Sequence, residues 1–338
     1  MADRKPTELN PRDIQGLKYF KQLLPLFRTL RDVGCQRDKA GNRSLFYDQY
    51  CVLVLLDLFN PMLRSLRSLQ QASLLEKVQR KLGCRRTSLG SLSEAVEIFE
   101  PERLCGIIES LSAKVDPVRD IRQGHFKHTL TAVDGSVVKT LKSIAEAAFM
   151  NDKNGGSHSA WRLHTHFDID RHVPTGIDVT PGSNSGKNDE KNRLKNGIKP
   201  DHCYVMDRWY GQFTLWNAIV AEESSYVCRI RDNSKRIATN LLDVPAEIIA
   251  DIYRHRWTIE LFFRFFKHVL GCRHLLSTHK KGIEIQAYCA IIACLLISLW
   301  TGRKPTLRSY EMICLYFMGW ATLEEFKTHI AKLKPAKS

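Results

Sequence analysis

The chain has 338 residues, of which 43% are hydrophobic, and carries 51 Lys and Arg against 36 Asp and Glu for a formal net charge of +15. That apolar share excludes a disordered chain, and the length allows two compact units at roughly 100–200 residues each. The cationic excess favours polyanionic partners, nucleic acid first and an anionic membrane surface second, because Lys and Arg displace the counterions condensed on phosphates.

The N-terminus, Met-Ala-Asp-Arg-Lys-Pro-Thr-Glu, lacks the apolar core of a secretory signal. Residues 14 to about 115 read as helical, with amphipathic runs at Leu17–Leu30 and Tyr50–Leu66. A basic segment (Lys77, Arg80, Lys81, Arg85, Arg86) leads into Thr87-Ser88-Leu89-Gly90-Ser91. It reads equally as a helix-turn-helix beside DNA or as a solvated helix face with a polar turn. The character changes near Lys127. His128–Val138 alternates as a strand, and Trp161–Asp170 and Val173–Val179 follow as two more around a tight turn. The polar stretch Pro181–Asn192 should open into a short helix. His202–Met206 reads as a buried strand, Gln212–Glu222 as a helix, Ser225–Ile230 as a fifth strand, and everything from Pro245 onward as helical. Three adjacent strands followed by helix, strand, helix, strand, helix predict an α/β fold: a ribonuclease-H-like mixed sheet flanked by helices. The expected domains are a helical 1–120, a catalytic 121–285 and a helical C-terminal region, 286–338.

Ala287–Trp300, the most apolar stretch, falls short of the about 20 residues a membrane span needs and reads as a buried helix. The ten cysteines form no C-x-x-C pair, which suits buried thiols in a reducing compartment, so a cytoplasmic location is expected.

Asp134 lies inside the first strand and Asp207 immediately follows the fourth. These strands are neighbours in such a sheet, and two carboxylates brought together need a cation, for which Mg2+ with its preference for hard oxygen ligands is the natural candidate. The third element is the segment Asp251–Lys267. Wound as one continuous helix, it sets Tyr253, Arg256, Glu260 and Lys267 in a stripe roughly 60° wide, beside an apolar face including Ile252, Ile259, Phe262, Phe263 and Phe266. An acid flanked by bases on such a ridge suits a metal-bound phosphate. An ordinary ion pair between Arg256 and Glu260 at i, i+4 is the bland alternative.

With these residues the chain resembles the IS4 family of bacterial insertion-sequence transposases. Tyr253, Arg256, Glu260 and Lys267 match its Y-(2)-R-(3)-E-(6)-K pattern, Thr131-Ala-Val-Asp134-Gly-Ser holds the first acid, and Tyr204-Val-Met-Asp207-Arg208-Trp-Tyr210 the second. The resemblance extends from about residue 120 to the C-terminus. It implies a DDE transposase in which Asp134, Asp207 and Glu260 bind two Mg2+ (or Mn2+) ions for DNA cleavage and strand transfer. Tyr253, Arg256, Lys267, Arg208 and Trp257 are the DNA-binding candidates. The implied partner is double-stranded DNA ending in inverted repeats, held by a homodimer in a synaptic complex, with no membrane, at the nucleoid of a bacterial cytoplasm. End recognition is expected of residues 1–120. One departure is that only 53 residues separate Asp207 from Glu260, so most of the family's β-rich insertion domain is missing, with a junction near 231–238. A transposase-derived nuclease or a DNA-binding relic is the alternative that this shortening raises.

Three weaker signals complete the reading. His164, His166 and His172 with Asp168 and Asp170 suggest a transition-metal cluster or, preferentially, a polar or DNA-facing sheet surface. Trp209 and Trp257 flank two of the acids, where stacking on a flipped base competes with packing. Lys187, Lys191, Arg193, Lys195, Lys199 and the basic Lys327–Lys337 would add unspecific phosphate contacts.

Overall fold

The computed structural model describes residues 20–33, 44–118, 120–140, 148–151, 157–183, 186–230, 236–272 and 274–333. The chain divides into two compact units, one built from residues 1–115 together with 265–338, the other from 116–264. The three-part division expected from sequence differs from this at its second boundary: the return to the helical unit comes at residue 265, not 285, and the C-terminal helices pack with the N-terminal ones.

In the first unit the helices are α1 (Phe20–Val33), α2 (Tyr47–Phe59), α3 (Leu66–Ser73), α4 (Glu76–Leu82), α5 (Leu89–Ile98) and α6 (Cys105–Ser112). α4 ends on Gly83 in the left-handed conformation, and α5 begins where the Ser88 hydroxyl accepts from the Ser91 N–H. The basic segment thus holds two short helices joined by residues 83–88.

The second unit carries β1 (Thr129–Thr140), β2 (Ala148–Asn151), β3 (Ser157–Asp168), β4 (Val173–Pro181), α7 (Glu190–Lys195), β5 (His202–Met206), α8 (Phe213–Ala221), β6 (Ser225–Arg229), β7 (Ile237–Thr239), α9 (Ala246–His255) and α10 (Thr258–Arg264). Among the described residues its sheet has seven strands in the order β2-β3-β1-β5-β6-β7, with β4 also paired to β3. β1, β3 and β4 run antiparallel, whereas β1, β5 and β6 run parallel. This is the mixed, ribonuclease-H-like arrangement. β5 is apolar at every buried position, as a strand covered on both faces must be. One face is sealed by Val133, Tyr204, Met206 and Cys228 of the strands against Leu194 of α7 and Leu215, Trp216 and Ile219 of α8. On the other, α9 packs on β5 and β6, and α10 on β1.

Chain order and strand positions match the sequence reading, apart from β2 and β7, two short strands it did not contain. The insertion junction falls mostly on residues outside the described set; among the described residues, the short β7 alone forms regular structure between β6 and α9.

After α10 the chain forms a π-helical turn, Phe265–Val269, and re-enters the first unit with α11 (Lys280–Thr301), α12 (Leu307–Phe317) and α13 (Leu323–Lys332). At 22 residues α11 is longer than the apolar stretch suggested, and it is long and apolar enough to cross a membrane. Its apolar window is nevertheless 89% buried inside the protein, as in a core helix packed on α2, α5 and α6.

Candidate active site

β1 and β5 pair in register with Ala132 opposite Val205. Asp134 and Asp207 each lie two residues further along, at adjacent parallel strands spaced about 4.8 Å. Side chains alternate across a strand. Val133 belongs to the core under α7 and α8, so Asp134 points the other way, toward the face on which α9 and α10 pack. Asp134 Oδ1 accepts the N–H of Gly135 at 2.8 Å. Asp207 caps the turn that follows it, its Oδ1 accepting the Trp209 N–H at 2.7 Å. Its own carbonyl accepts the Cys228 thiol at 3.3 Å, which ties the end of β5 to β6.

The segment from 251 to 267 is not one continuous helix. α9 stops at His255 and α10 starts at Thr258. The Thr258 hydroxyl donates to the His255 carbonyl at 2.8 Å, and the Ile259 N–H bonds instead to Arg256 O at 3.1 Å, with Glu260 N–H on Trp257 O at 3.2 Å. A tighter three-residue turn thus replaces the α-helical ladder, as happens where a side chain claims a backbone carbonyl. The π turn adds a second irregularity before Lys267. The stripe derived from an ideal 100° step therefore does not extend through Lys267, which belongs to the other compact unit. Burial lowers the pKa of the Lys267 ammonium.

The break leaves Arg256 and Glu260 together. Arg256 Nη2 contacts Glu260 Oε1 at 2.9 Å while Nη1 lies 3.6 Å from Asp134 Oδ2. One guanidinium therefore spans two of the three acids. Burial opposes its charge, but the hydrogen bond to Glu260 and the Asp134 carboxylate outweigh that and raise its pKa. Asp134 shows the opposite imbalance. Burial pushes its carboxyl up to about 7 against the pull of Arg256, with Asp207 and Glu190 adding repulsion. Tyr253 is half-buried one turn before Arg256, whereas Arg208 and Trp257 are exposed.

Among the described residues, no group of three or more His, Cys, Asp or Glu side chains is gathered closely enough to hold a metal ion. The expected triad is instead drawn together around Arg256. The donor chemistry still fits a hard divalent cation: carboxylate oxygens only, on a site where one guanidinium already bridges two acids and a repelled third acid stands beside it.

Several sequence expectations change. His164, Asp168, Asp170 and His172 are buried, not on a DNA-facing surface. His164 Nε2 bonds the Thr180 hydroxyl at 2.8 Å, Asp168 pairs with Arg171 at 2.9 Å and Asp170 with Arg122 at 3.0 Å. Part of the basic run is likewise engaged locally: Arg193 pairs with Asp178, and Lys191 Nζ lies 4.8 Å above the Trp209 ring.

One residue was missed. Glu190, the first residue of α7, is buried, pairs with Arg162 and accepts the Tyr210 phenol. Its carboxylate lies directly against Gly135: a methyl group there would sit 2.5 Å from Glu190 Cδ. Asp134-Gly135 was the available signal, since a glycine after a strand acid marks a close approach.

Comparison with known proteins adds an independent line. The family model described as "Transposase DDE domain" matches residues 125–296. The chain is 23% identical over 222 residues to a protein of Sinorhizobium fredii assigned as transposase y4zB, covering 48% of this chain and 62% of that one. It is 40% identical over 115 residues to a protein of Synechocystis assigned as the transposase of insertion sequence element IS4SA, covering 32% of each. The matched segments thus span less than two thirds of these relatives' own lengths. Among solved structures it is similar, at a TM-score of 0.43 and 11% identity over 97% of this chain and 80% of the other, to a piggyBac transposase synaptic complex with hairpin DNA.

Proposed function

The chain belongs to the transposase DDE domain family, and from that premise we propose that it cleaves and rejoins DNA at the ends of an insertion sequence. The observation that carries this reading is the register of β1 and β5, which sets Asp134 beside Asp207, together with the Arg256 bridge from Asp134 to Glu260. Asp134, Asp207 and Glu260 would hold divalent ions, Mg2+ or Mn2+, two in number. When bound, such ions activate a water or a 3′-hydroxyl as nucleophile and stabilise the leaving oxygen of an in-line displacement at phosphorus.

The residues of the chain supply the rest. Arg256 is the positive charge that a divalent cation would replace between the acids, and its guanidinium then becomes available to a phosphate in bidentate geometry. Tyr253, Arg208 and Trp257 offer a hydroxyl, a cation and an indole to the DNA backbone beside the acids, and Lys267 a further cation. The helices of residues 1–120 are assigned to end recognition. Double-stranded DNA with terminal inverted repeats is the proposed substrate, a homodimer the proposed synaptic assembly, and the bacterial nucleoid the proposed location. A DNA-binding relic is not favoured: the short connection from β6 through β7 to α9 leaves the sheet continuous and the acids adjacent.

The test is Mg2+-dependent cleavage of DNA carrying the inverted repeats that flank the gene, in wild type and Glu260→Ala. Cleavage at the repeat tip that disappears in the variant is expected. Binding without cleavage, equal in both proteins, would sink the enzymatic reading.

A further inference from the structure

Beneath the acids, on the opposite side of β1, sits a carboxylate that the proposed chemistry does not use. Glu190 is only 6% exposed. Three groups surround its head. Gly135 presents bare backbone, so closely that no side chain fits there. Arg162 of β3 supplies the countercharge. The Tyr210 phenol, buried three residues after Asp207, donates to it. Gly135 is the neighbour of Asp134, and Tyr210 closes the turn that Asp207 caps, its N–H bonding to Asp207 O at 3.2 Å. One carboxylate therefore touches the segment after each strand acid.

We propose that Glu190 is a positioning residue: it clamps the backbone after Asp134 to the turn after Asp207 and so sets the gap between the two acids for a divalent cation. This rests on the reading of Asp134 and Asp207 as metal ligands. Three features support a positioning role over mere core filling. A buried carboxylate is costly where an apolar side chain would pack as well, so its retention calls for a geometric reason. Two of its three neighbours are one residue from Asp134 and three from Asp207. It also pairs with Arg162, which donates to the Gly182 carbonyl, so the clamp is anchored on β3 as well. Groups that orient metal ligands from behind typically change metal affinity by about 10–100-fold when removed.

The experiment is Mn2+ binding to the full chain without DNA, by titration calorimetry with thermal melts in parallel. The variants are Glu190→Ala, Glu190→Gln, Tyr210→Phe and Asp207→Asn. Glu190→Ala is expected to weaken Mn2+ binding at least about 10-fold. Glu190→Gln keeps an acceptor for Tyr210 and should lose less than the alanine variant. Tyr210→Phe deletes a single oxygen atom, so it reports on the clamp even where Glu190→Ala does not fold, and a weakening of about 3-fold or more is expected. Wild-type Mn2+ affinity in Glu190→Ala or Tyr210→Phe, with binding lost in Asp207→Asn, would overturn the clamp and leave the metal site standing. Unchanged binding in Asp207→Asn would overturn the metal reading itself.

Discussion

Two groups of carboxylates, one buried and one half-buried, lie on the sheet unit and meet their charge in different ways. Around the β3–β4 turn each acid has a guanidinium at close range: Asp168 takes Arg171, Asp170 shares Arg122 with the exposed Asp120, and His164 Nε2 bonds the Thr180 hydroxyl. Midway along β1 and just past the end of β5, a single guanidinium is divided between Asp134 and Glu260, and Asp207 Oδ1 accepts the Trp209 N–H of its own turn. In the first group both carboxylates are ion-paired at 2.9–3.0 Å, with Asp170 Oδ1 and His164 Nδ1 left without a hydrogen-bond partner among the described residues. The second is short of positive charge, and burial has pushed one of its members up to about 7. A deficit of this kind is what an external cation would relieve, so under the proposed function the balance of charge is what separates the two groups.

The comparison can be broken at either end. Its largest expected effect is chemical. Asp134→Asn should lower DNA cleavage by roughly 10^3-fold or more while the protein stays folded, because removing a repelled charge costs the fold little. A cleavage rate near wild type would end the distinction. Next comes stability. Arg122→Met removes the partner of Asp170, with the exposed Asp120 pair and the bond to His128 O, and should cost about 3 kcal/mol in urea unfolding at pH 8, mostly from the buried pair. Burial already raises the Asp170 carboxyl to about 6, against the pull of Arg122, so the cost should shrink at pH 5, where the acid is neutral. An equal cost at both pH values would show that lost packing, not charge, is responsible.

The smallest effect is the pH dependence of metal-free protein. A carboxyl raised in the folded state binds protons more readily folded than unfolded, so its contribution to stability grows as pH falls through the folded value. For Asp134 that gain develops from about pH 7 downward toward its ordinary value near 3.8. His164 and His166 act oppositely: burial lowers both to about 4, so their neutral forms lose ground as pH falls below about 6.5. The difference between wild type and Asp134→Asn isolates the acid. Wild type should gain on the order of 3 °C in Tm relative to the variant between pH 8 and pH 5, and saturating Mg2+ should remove the gain. A Tm difference independent of pH would contradict the charge deficit.

The sheet was legible because its strands advertise themselves. β5 is a short apolar run between polar turns and β1 alternates, with one acid inside β1 and the other just past β5. The family-like motifs named Asp134, Asp207, Glu260 and Arg256, where spacing by itself left an ordinary ion pair between Arg256 and Glu260 open, and in the structure Arg256 contacts both Asp134 and Glu260. The rest depended on interactions that periodicity does not encode. The break at 256–257 comes from the Thr258 hydroxyl taking a carbonyl, a choice open to any threonine and made only in context. β2 and β7 have four and three residues, too few for a pattern to emerge. Glu190 lies in a stretch of charged and polar residues that reads as solvated surface, and only its fit under Gly135 sets it apart. The histidines of β3 alternate as an exposed face would, yet that face is covered.

The helical unit is assembled from two stretches that are far apart in the chain, and this bears on how the protein is made. α2 buries twelve of its residues, and α11, its packing partner, ends at residue 301. At a synthesis rate of roughly 5–20 residues per second, α2 leaves the ribosome tens of seconds before α11 exists. The sheet unit, encoded without interruption between them, can fold during that interval. The apolar surface of the first helices meanwhile waits for its cover. Nascent chains stalled or truncated before α11 should therefore be the species that aggregate or are captured by chaperones, while those released after it mature.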